Sequence, residues 1–437
     1  MKKKSIFATL IAVAMVAGSV GTPVAHATGV DNNAPNDGDG NIYVEASGPS
    51  DDERIDGVRQ AGTWRQYSNG KWRYIHTDGS YTINDWERID GNWYFFDGSG
   101  YRWTGWKQYN NNWYYFNSNG IMVTGWKKIT VGTMQHWYYF KANGKMATTE
   151  WLYYNSRWYY FNADGEMVTG WNTINEYTYF FNNDGEFVDS TRKALIIGDG
   201  VASSDLDMEG WGFCLGEQLY GGDHFATITS VVGPSSTQLF NYINTLKVGN
   251  TESDITYLCF TCTGMVGDNI QIGENKTVSA TALKNKLDEL AGKVVIFFSL
   301  DYSGQIINRG ESDHPEQEVL SAFMDRTRSG EFIDEKYVVI CSCKKTEVDQ
   351  NYDFPELNKK YSFANRWWMY GGGWDMLSGA NLKALYADYN SNAKVTLDEL
   401  LTFSASHIIS LNPNQPQTVV AYSVDPNFTI FARTSTK

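Results

Sequence analysis

The sequence predicts a multidomain protein: a solenoid of short β-hairpins followed by an α/β domain on a mostly parallel sheet. Three observations lead there. An aromatic unit ending in Gly-Trp or its variants recurs about every 20 residues over 61–190, a period that marks a solenoid. The composition changes at Lys193, where aromatic repeats give way to apolar runs such as KALIIGDG. From there strand-like and helix-like segments alternate, the pattern of a parallel sheet with helices on both faces. The boundaries drawn are a signal peptide over 1–27, an acidic flexible linker over 28–60, the repeats over 61–190 and the second domain over 191–437.

The chain opens with Lys2, Lys3 and Lys4, an apolar run from Ile6 to about Val16, and the small-x-small signal Ala25-His26-Ala27. The apolar run is too short for a membrane span, and no other segment approaches one. The chain should therefore be secreted. Its net charge of −14 argues against nucleic acid as a partner, which Lys and Arg must neutralise. The same charge gives no long-range attraction to an anionic wall, so attachment must rest on specific contacts.

Each repeat is a hairpin in miniature. WYYF alternates two faces of a strand, Asn-x-x-Gly or Asp-x-x-Gly offers a turn, and a second short strand leads to Gly-Trp. Such hairpins are not stable alone and must stack. Most Tyr and Phe residues then form the solenoid core. Two Trp per unit exceed what a unit of this size buries, and a Trp pair completed by an aromatic or Met of the next unit makes a cage for quaternary ammonium or a sugar ring. The pattern TGWKQYNNNWYYFNSNGIMVTGW closely resembles the choline-binding, cell-wall-binding repeats of Gram-positive surface proteins, with glucan-binding repeats as near relatives. The resemblance implies ligand sites between consecutive hairpins, carried by Trp86 with Trp93, Trp106 with Trp113, Trp126 with Trp137, and Trp151 with Trp158. Trp171 lacks a partner, because Tyr177-Thr178-Tyr179 replaces Trp-Tyr-Tyr. The implied partner is choline on wall teichoic acid or a wall polysaccharide.

In the second domain KALIIGDG, DITYLCFTC, GKVVIFF and KYVVICSC read as buried strands. TALKNKLDELAG places Leu283, Leu287 and Leu290 at helical spacing with Gly292 as its C-cap, and a second helical stretch covers Glu316 to Thr327. Five cysteines in so long a secreted chain are not a disulfide framework, and Cys259 and Cys262 lie on opposite faces of one strand. Most are expected to be buried and structural.

DITYLCFTCTG and GKVVIFFSLDYSG resemble the two strands of caspase-like cysteine peptidases (the clan of caspases, legumain, clostripain and gingipains) that carry their His and Cys. The resemblance covers about 193–432, includes EKYVVICSCKKTE and VVAYSVDPNFTIFAR, and implies a caspase-like α/β sandwich. Aligned residue by residue, Thr263 holds the His position and Asp301 the Cys position, with Cys262 and Ser299 departing from the pattern beside them. Thr cannot shuttle a proton near neutral pH, and a carboxylate is a weak nucleophile towards an amide. No catalytic pair is intact. A site rebuilt from Cys262, Cys343, His224, His314 or His407, or a carboxyl catalyst at Asp301, is the alternative.

DYNSNAKVTLDE places Asp388, Asn390, Asn392, Lys394, Thr396 and Glu399 at the ligand positions of a calcium loop, with Ala393 where Gly is usual. Ca2+ is the cofactor such a loop would take; a polar loop capping a helix is the other reading. Together these features describe a secreted protein attached to the wall of a Gram-positive bacterium, with an inactive caspase-like domain that binds or scaffolds an unidentified protein partner. An active surface cysteine endopeptidase and a purely structural wall protein are the alternatives.

Overall fold

The computed structural model describes residues 61–433 other than 176, 201, 221–223, 267–268, 302–334, 344–350, 355–358, 376–377, 379, 383 and 412–416. The expected signal peptide, linker and 316–327 helix lie outside the described residues. Among the described residues, no helix is long and apolar enough to cross a membrane.

Six antiparallel hairpins follow one another. They pair Gly62–Gln66 with Trp72–His76, Trp86–Ile89 with Asn92–Phe95, and Gly105–Tyr109 with Asn112–Phe116. The last three pair Gly125–Val131 with Met134–Phe140, Glu150–Tyr154 with Arg157–Phe161, and Gly170–Ile174 with Tyr177–Phe181. Their frame differs from the expected one. The Gly-Trp strand comes first and the WYYF strand second; after the first hairpin, whose loop spans 67–71, they are joined by two-residue turns such as Asn110-Asn111 and Asn155-Ser156. These residues are left-handed, with φ of 45° and 61°, and 49° and 63°. The Asn-x-x-Gly turn instead follows the hairpin. Asn117 Oδ1 accepts the N–H groups of Asn119 at 2.8 Å and Ile121 at 3.0 Å, which turns the chain into a bridging segment.

That segment ties units together. Met122 N–H donates to the Trp93 carbonyl, Met146 to Trp113 and Met167 to Trp137, each at 2.8 Å. The side chains of Met122, Met146 and Met167 lie across Gly144, Gly165 and Gly185 of the next turn, where a Cβ would collide with them. The first tryptophan of each hairpin packs on the Tyr and Phe of the next. Trp86 lies 4.9 Å from Tyr114 and 5.4 Å from Phe116; Trp151 lies 5.0 Å from Tyr179 and 5.5 Å from Phe181.

The second domain is the expected layered α/β structure. The backbone of its main sheet is β1 (Arg192–Gly198), β2 (Thr227–Val232), β3 (Ile255–Val266), β4 (Lys293–Asp301), β5 (Tyr337–Cys341) and β6 (Val420–Tyr422), with shorter strands beside them. They lie in the order β2-β1-β3-β4-β5-β6, parallel except for β6. The helices are α1 (Ala202–Gly216), α2 (Ser236–Lys247), α3 (Ala280–Leu287), α4 (Phe363–Gly371) and α5 (Leu397–Leu411). Alternate residues of the central strands feed two cores. Ile196, Cys259 and Phe297 meet Trp211 of α1 and Trp368 of α4 on one face. Leu195, Phe260 and Phe298 meet Leu239 of α2 and Leu283 of α3 on the other. Period-two alternation therefore sends Cys259 and Cys262 to opposite cores, as expected.

The strand β2 and helix α2 were not foreseen, because ATITSVVG is half exposed and lacks a continuous apolar run. Gly292 is not the C-cap of α3, which ends at Leu287. It sits at the entrance to β4 with φ +73°, where a Cβ would overlap the Asp254 carbonyl oxygen. Gly249 is also left-handed, at φ +68°, but has open space around it. Gly292→Ala is therefore expected to destabilise the fold far more than Gly249→Ala, which should lose only the roughly 1–2 kcal/mol of left-handed strain. Urea unfolding of the two variants checks this; equal midpoints would contradict the close approach.

Candidate functional site

In each hairpin the first tryptophan and the residue paired with the second are two positions apart, so both indoles share one face. Gln108 pairs with Trp113, Lys128 with Trp137 and Tyr153 with Trp158. The rings stand nearly perpendicular: Trp106–Trp113 at 6.1 Å and 89°, Trp126–Trp137 at 6.3 Å and 87°, Trp151–Trp158 at 6.4 Å and 83°. Trp86 and Trp93 have the same register and share one aromatic cluster. The two members of a pair do different work. Trp86 and Trp151 are buried between hairpins, whereas Trp113 and Trp137 are 40% and 41% exposed.

The next hairpin adds a third wall. Tyr109 lies 5.8 Å from Trp86 and Tyr154 lies 6.0 Å from Trp126. Ile129 and Ile174 join the clusters of Trp106 and Trp151. Two perpendicular π faces around an open corner attract a cation placed between them, and a third ring adds to this. The protein's own Lys128 ammonium already lies 5.7 Å from the Trp137 ring.

The end units depart from this pattern. Hairpin one carries an equivalent pair, Trp64 and Trp72, that sequence reading did not single out. Arg102 takes the place of the bridging methionine, and its guanidinium lies 5.5 Å from one ring and 5.8 Å from the other. In hairpin six the register pairs Thr173 with Thr178 and Trp171 with Phe180. Thr178, not Tyr177, therefore stands where the other units have their second tryptophan, one residue from the expected alignment. The small buried side chain lets the second domain approach. Thr178 Oγ1 accepts the Thr429 N–H at 3.1 Å, and Thr173 Oγ1 donates to Asp425. Lys394 donates to the Asn175 carbonyl at 2.6 Å, with its ammonium 3.4 Å from the Tyr177 ring.

Known families and structures match this part of the chain. Residues 103–151 and 123–169 match the choline-binding repeat, and residues 84–102 and 169–187 match a cell wall binding repeat. The similar solved structures include CbpJ from Streptococcus pneumoniae TIGR4, at 34% identity over 30% of this chain and 44% of that one, with a TM-score of 0.27. Choline binding protein F from Streptococcus pneumoniae is 36% identical over 30% of this chain and 43% of that one, with a TM-score of 0.27. The multimodular pneumococcal cell wall endolysin from phage Cp-1, complexed with choline, is 41% identical over 31% of this chain and 39% of that one, with a TM-score of 0.23. The chain thus spans less than half the length of each of these. No curated protein matches it.

Beyond the hairpins, a second candidate place for chemistry is the carboxyl edge of the parallel sheet, where ligands of such folds gather. Thr263 and Asp301 do meet there. Thr261 pairs with Ser299 and Gly264 with Asp301, with a bulge between them that shifts the register. A Cβ on Gly264 would lie 2.8 Å from that of Asp301. The Thr263 side chain turns to Asp199. The Thr263 N–H donates to Asp199 Oδ2 at 2.6 Å and its hydroxyl donates to the same oxygen. Asp199, at the end of β1 and 4% exposed, was missed because GDG reads as a plain strand end. Ser299 donates to Ser362 at 2.6 Å, and the Ser362 N–H donates to Asp207 at 3.1 Å.

The cysteines and histidines of the alternative sites each have other neighbours among the described residues. All five cysteines are free and buried. Cys262 and Cys343 donate to the carbonyls of Ile197 at 3.7 Å and Leu300 at 3.4 Å. Burial, with Asp199 nearby, holds the Cys262 thiol well above its usual pKa, and burial pushes Cys214 up to about 12. His224 lies 2.9 Å from the Gln218 carbonyl, and His407 packs 4.1 Å from Phe403 and 4.5 Å from Trp367. His314 lies outside the described residues.

In the 388–399 loop Ser391 and Ala393 are left-handed, at φ 61° and 63°. Its oxygens meet N–H groups: Asp388 accepts from Asn392 at 3.1 Å and Ala393 at 2.8 Å, and Glu399 from Tyr389 at 3.2 Å and Thr396 at 3.0 Å. Thr396 and Glu399 also exchange side-chain bonds in the manner of a capping box at the start of α5. Among the described residues, no cluster of three His, Cys, Asp or Glu side chains gathers around a metal position.

Two outcomes follow for the sheet edge. At pH 7.5 native protein should resist thiol alkylation at Cys214, Cys259 and Cys262, because burial keeps each thiol protonated, and label them on unfolding. Rapid native labelling of Cys262, mapped by peptide mass, would reinstate a thiol site. Thr263→Val should lower stability by roughly 1–3 kcal/mol, since the Asp199 carboxylate loses a donor, while Thr263→Ser should retain most of it.

Proposed function

We propose that this is a secreted surface protein held to a Gram-positive cell wall by choline, which occupies the corners between paired tryptophans. The observation that carries this reading is the perpendicular Trp pair with one exposed ring, repeated in hairpins whose sequences match choline-binding and cell wall binding repeats. Trp86 with Trp93, Trp106 with Trp113, Trp126 with Trp137 and Trp151 with Trp158 hold the ligand. Each ring contributes roughly 0.5–2 kcal/mol by cation–π attraction, so affinity at one corner is modest and attachment depends on several corners acting together. Hairpin six is the mount of the second domain.

For the second domain we propose a caspase-like fold that has lost its peptidase chemistry and acts by binding. What supports this is the placement of Thr263 and Asp301 on adjacent strand ends, with Thr263 bonded to Asp199.

Mature protein is expected to bind choline-bearing wall material, to be released by millimolar choline, and to remain bound in molar salt, because the contacts are aromatic and poorly screened. Trp113→Ala together with Trp137→Ala should weaken retention at least about tenfold, from the lost rings at two corners. Release by salt with indifference to choline would overturn the reading. The same preparation should cleave no peptides; hydrolysis abolished by Asp301→Ala at unchanged melting temperature would make the second domain an enzyme.

A further inference from the structure

The joint between the first and second repeats differs from every later joint in a way that choline does not explain. Later bridging segments carry Met122-Val123, Met146-Ala147 and Met167-Val168; this one carries Arg102-Trp103. A cavity of about 450 Å³ opens here, lined among others by Lys71, Trp72, Asp97, Arg102, Trp103 and Ser118. Its walls combine indole faces, which stack on sugar rings, with two cations and hydroxyl groups.

The charge at this end opposes that of the whole chain. Residues 61–107 hold six Lys and Arg (65, 71, 73, 88, 102, 107) against five Asp and Glu (78, 85, 87, 90, 97), whereas the chain carries −14. Asp97 is engaged locally, because its Oδ1 accepts the N–H groups of Ser99 at 2.9 Å and Tyr101 at 2.8 Å. Arg102 is less fully satisfied. Its stem lies across Gly120 and Nη2 donates to the Ser118 carbonyl at 3.2 Å, but Nε is buried without an acceptor. Burial also lowers the Arg102 pKa from its ordinary value, so an anion at this place would stabilise the charged form. A half-buried guanidinium whose shielded Nε lacks an acceptor, at the edge of an aromatic cavity, fits an acidic group attached to a sugar.

We propose that this cavity is a second wall-binding site, for an anionic saccharide: a sugar stacks on Trp72 or Trp103 and its phosphodiester or carboxylate meets Arg102 and Lys71. This rests on the wall-attachment reading and adds to it a contact that is sensitive to salt. The first two repeats would read the acidic polymer, and the later corners its quaternary ammonium.

The test uses the full mature protein in saturating choline, so that the aromatic corners are filled and only the cavity is read. Three probes are titrated by calorimetry: a phosphodiester-linked sugar–polyol oligomer without choline, a muramic-acid-containing tetrasaccharide, and a neutral N-acetylglucosamine tetramer. One or both acidic probes should bind at least about tenfold tighter than the neutral one, as one charge-assisted contact allows, and which of them binds identifies the source. Arg102→Met and Trp103→Val install what sister repeats carry at these positions and should each weaken acidic-probe binding at least about fivefold. Lys71→Ala, at an exposed position, provides the same readout without touching the packing. Lys71→Ala should leave the choline titration unchanged. Equal affinity for all three probes, or acidic binding indifferent to these substitutions, overturns the proposal; failure of choline to bind in a separate titration would instead overturn the wall-attachment reading.

Discussion

The packing of one tryptophan on the Tyr and Phe of the following hairpin holds the N-terminal half together. It recurs five times with nearly constant geometry, from Trp64 on Tyr94 at 5.0 Å to Trp151 on Tyr179 at 5.0 Å. A hairpin of ten or so residues cannot bury a core of its own, so each unit is stable only because the next one covers its tryptophan. The same contact positions the proposed ligand face. Once the first indole is fixed between hairpins, the second stands perpendicular to it with its face open. Fold and recognition therefore share one residue, and losing Trp86 or Trp151 would remove a corner and a joint together.

This dependence explains why the two ends of the solenoid are modified. A stack of open corners needs terminators. At the first unit Arg102 lies over both rings of the pair, with a cation from the chain itself. At the last, Thr178 removes the second ring, and backbone of the second domain takes its place. Lys394 then sets an ammonium on Tyr177, so the joint between solenoid and α/β domain uses the same cation–π attraction proposed for the ligand. The described parts of both domains belong to one compact unit of the chain, Pro35–Lys437.

Much of this was legible in the sequence, and the failures have physical causes. The four apolar runs became adjacent parallel strands, because continuous burial on two faces leaves few alternatives. The position of the hairpin was misjudged by half a unit. Asn-x-x-Gly resembles a hairpin turn, while the true turns are dipeptides without a common signature, with glycine in Asp90-Gly91 and Gly132-Thr133 and without it in Asn110-Asn111 and Asn155-Ser156. Which tryptophans were core was hidden too, since an indole that stacks and one that binds are spelled alike. Thr263 and Asp301 lie at neighbouring strand ends, but the Asp199 partner of Thr263 was not foreseen. That contact joins strands 64 residues apart in sequence, and no local pattern announces it.

The central claim is that the perpendicular tryptophan pairs are ligand corners and that hairpin six has lost its own. The most direct measurement is a crystal structure of the mature protein with choline bound. The account predicts a trimethylammonium group seated between Trp106 and Trp113, between Trp126 and Trp137, and between Trp151 and Trp158, with hairpin six still covered by Thr429 and Lys394. Choline bound at Trp171 with the second domain displaced, or empty corners in a crystal saturated with choline, would contradict it.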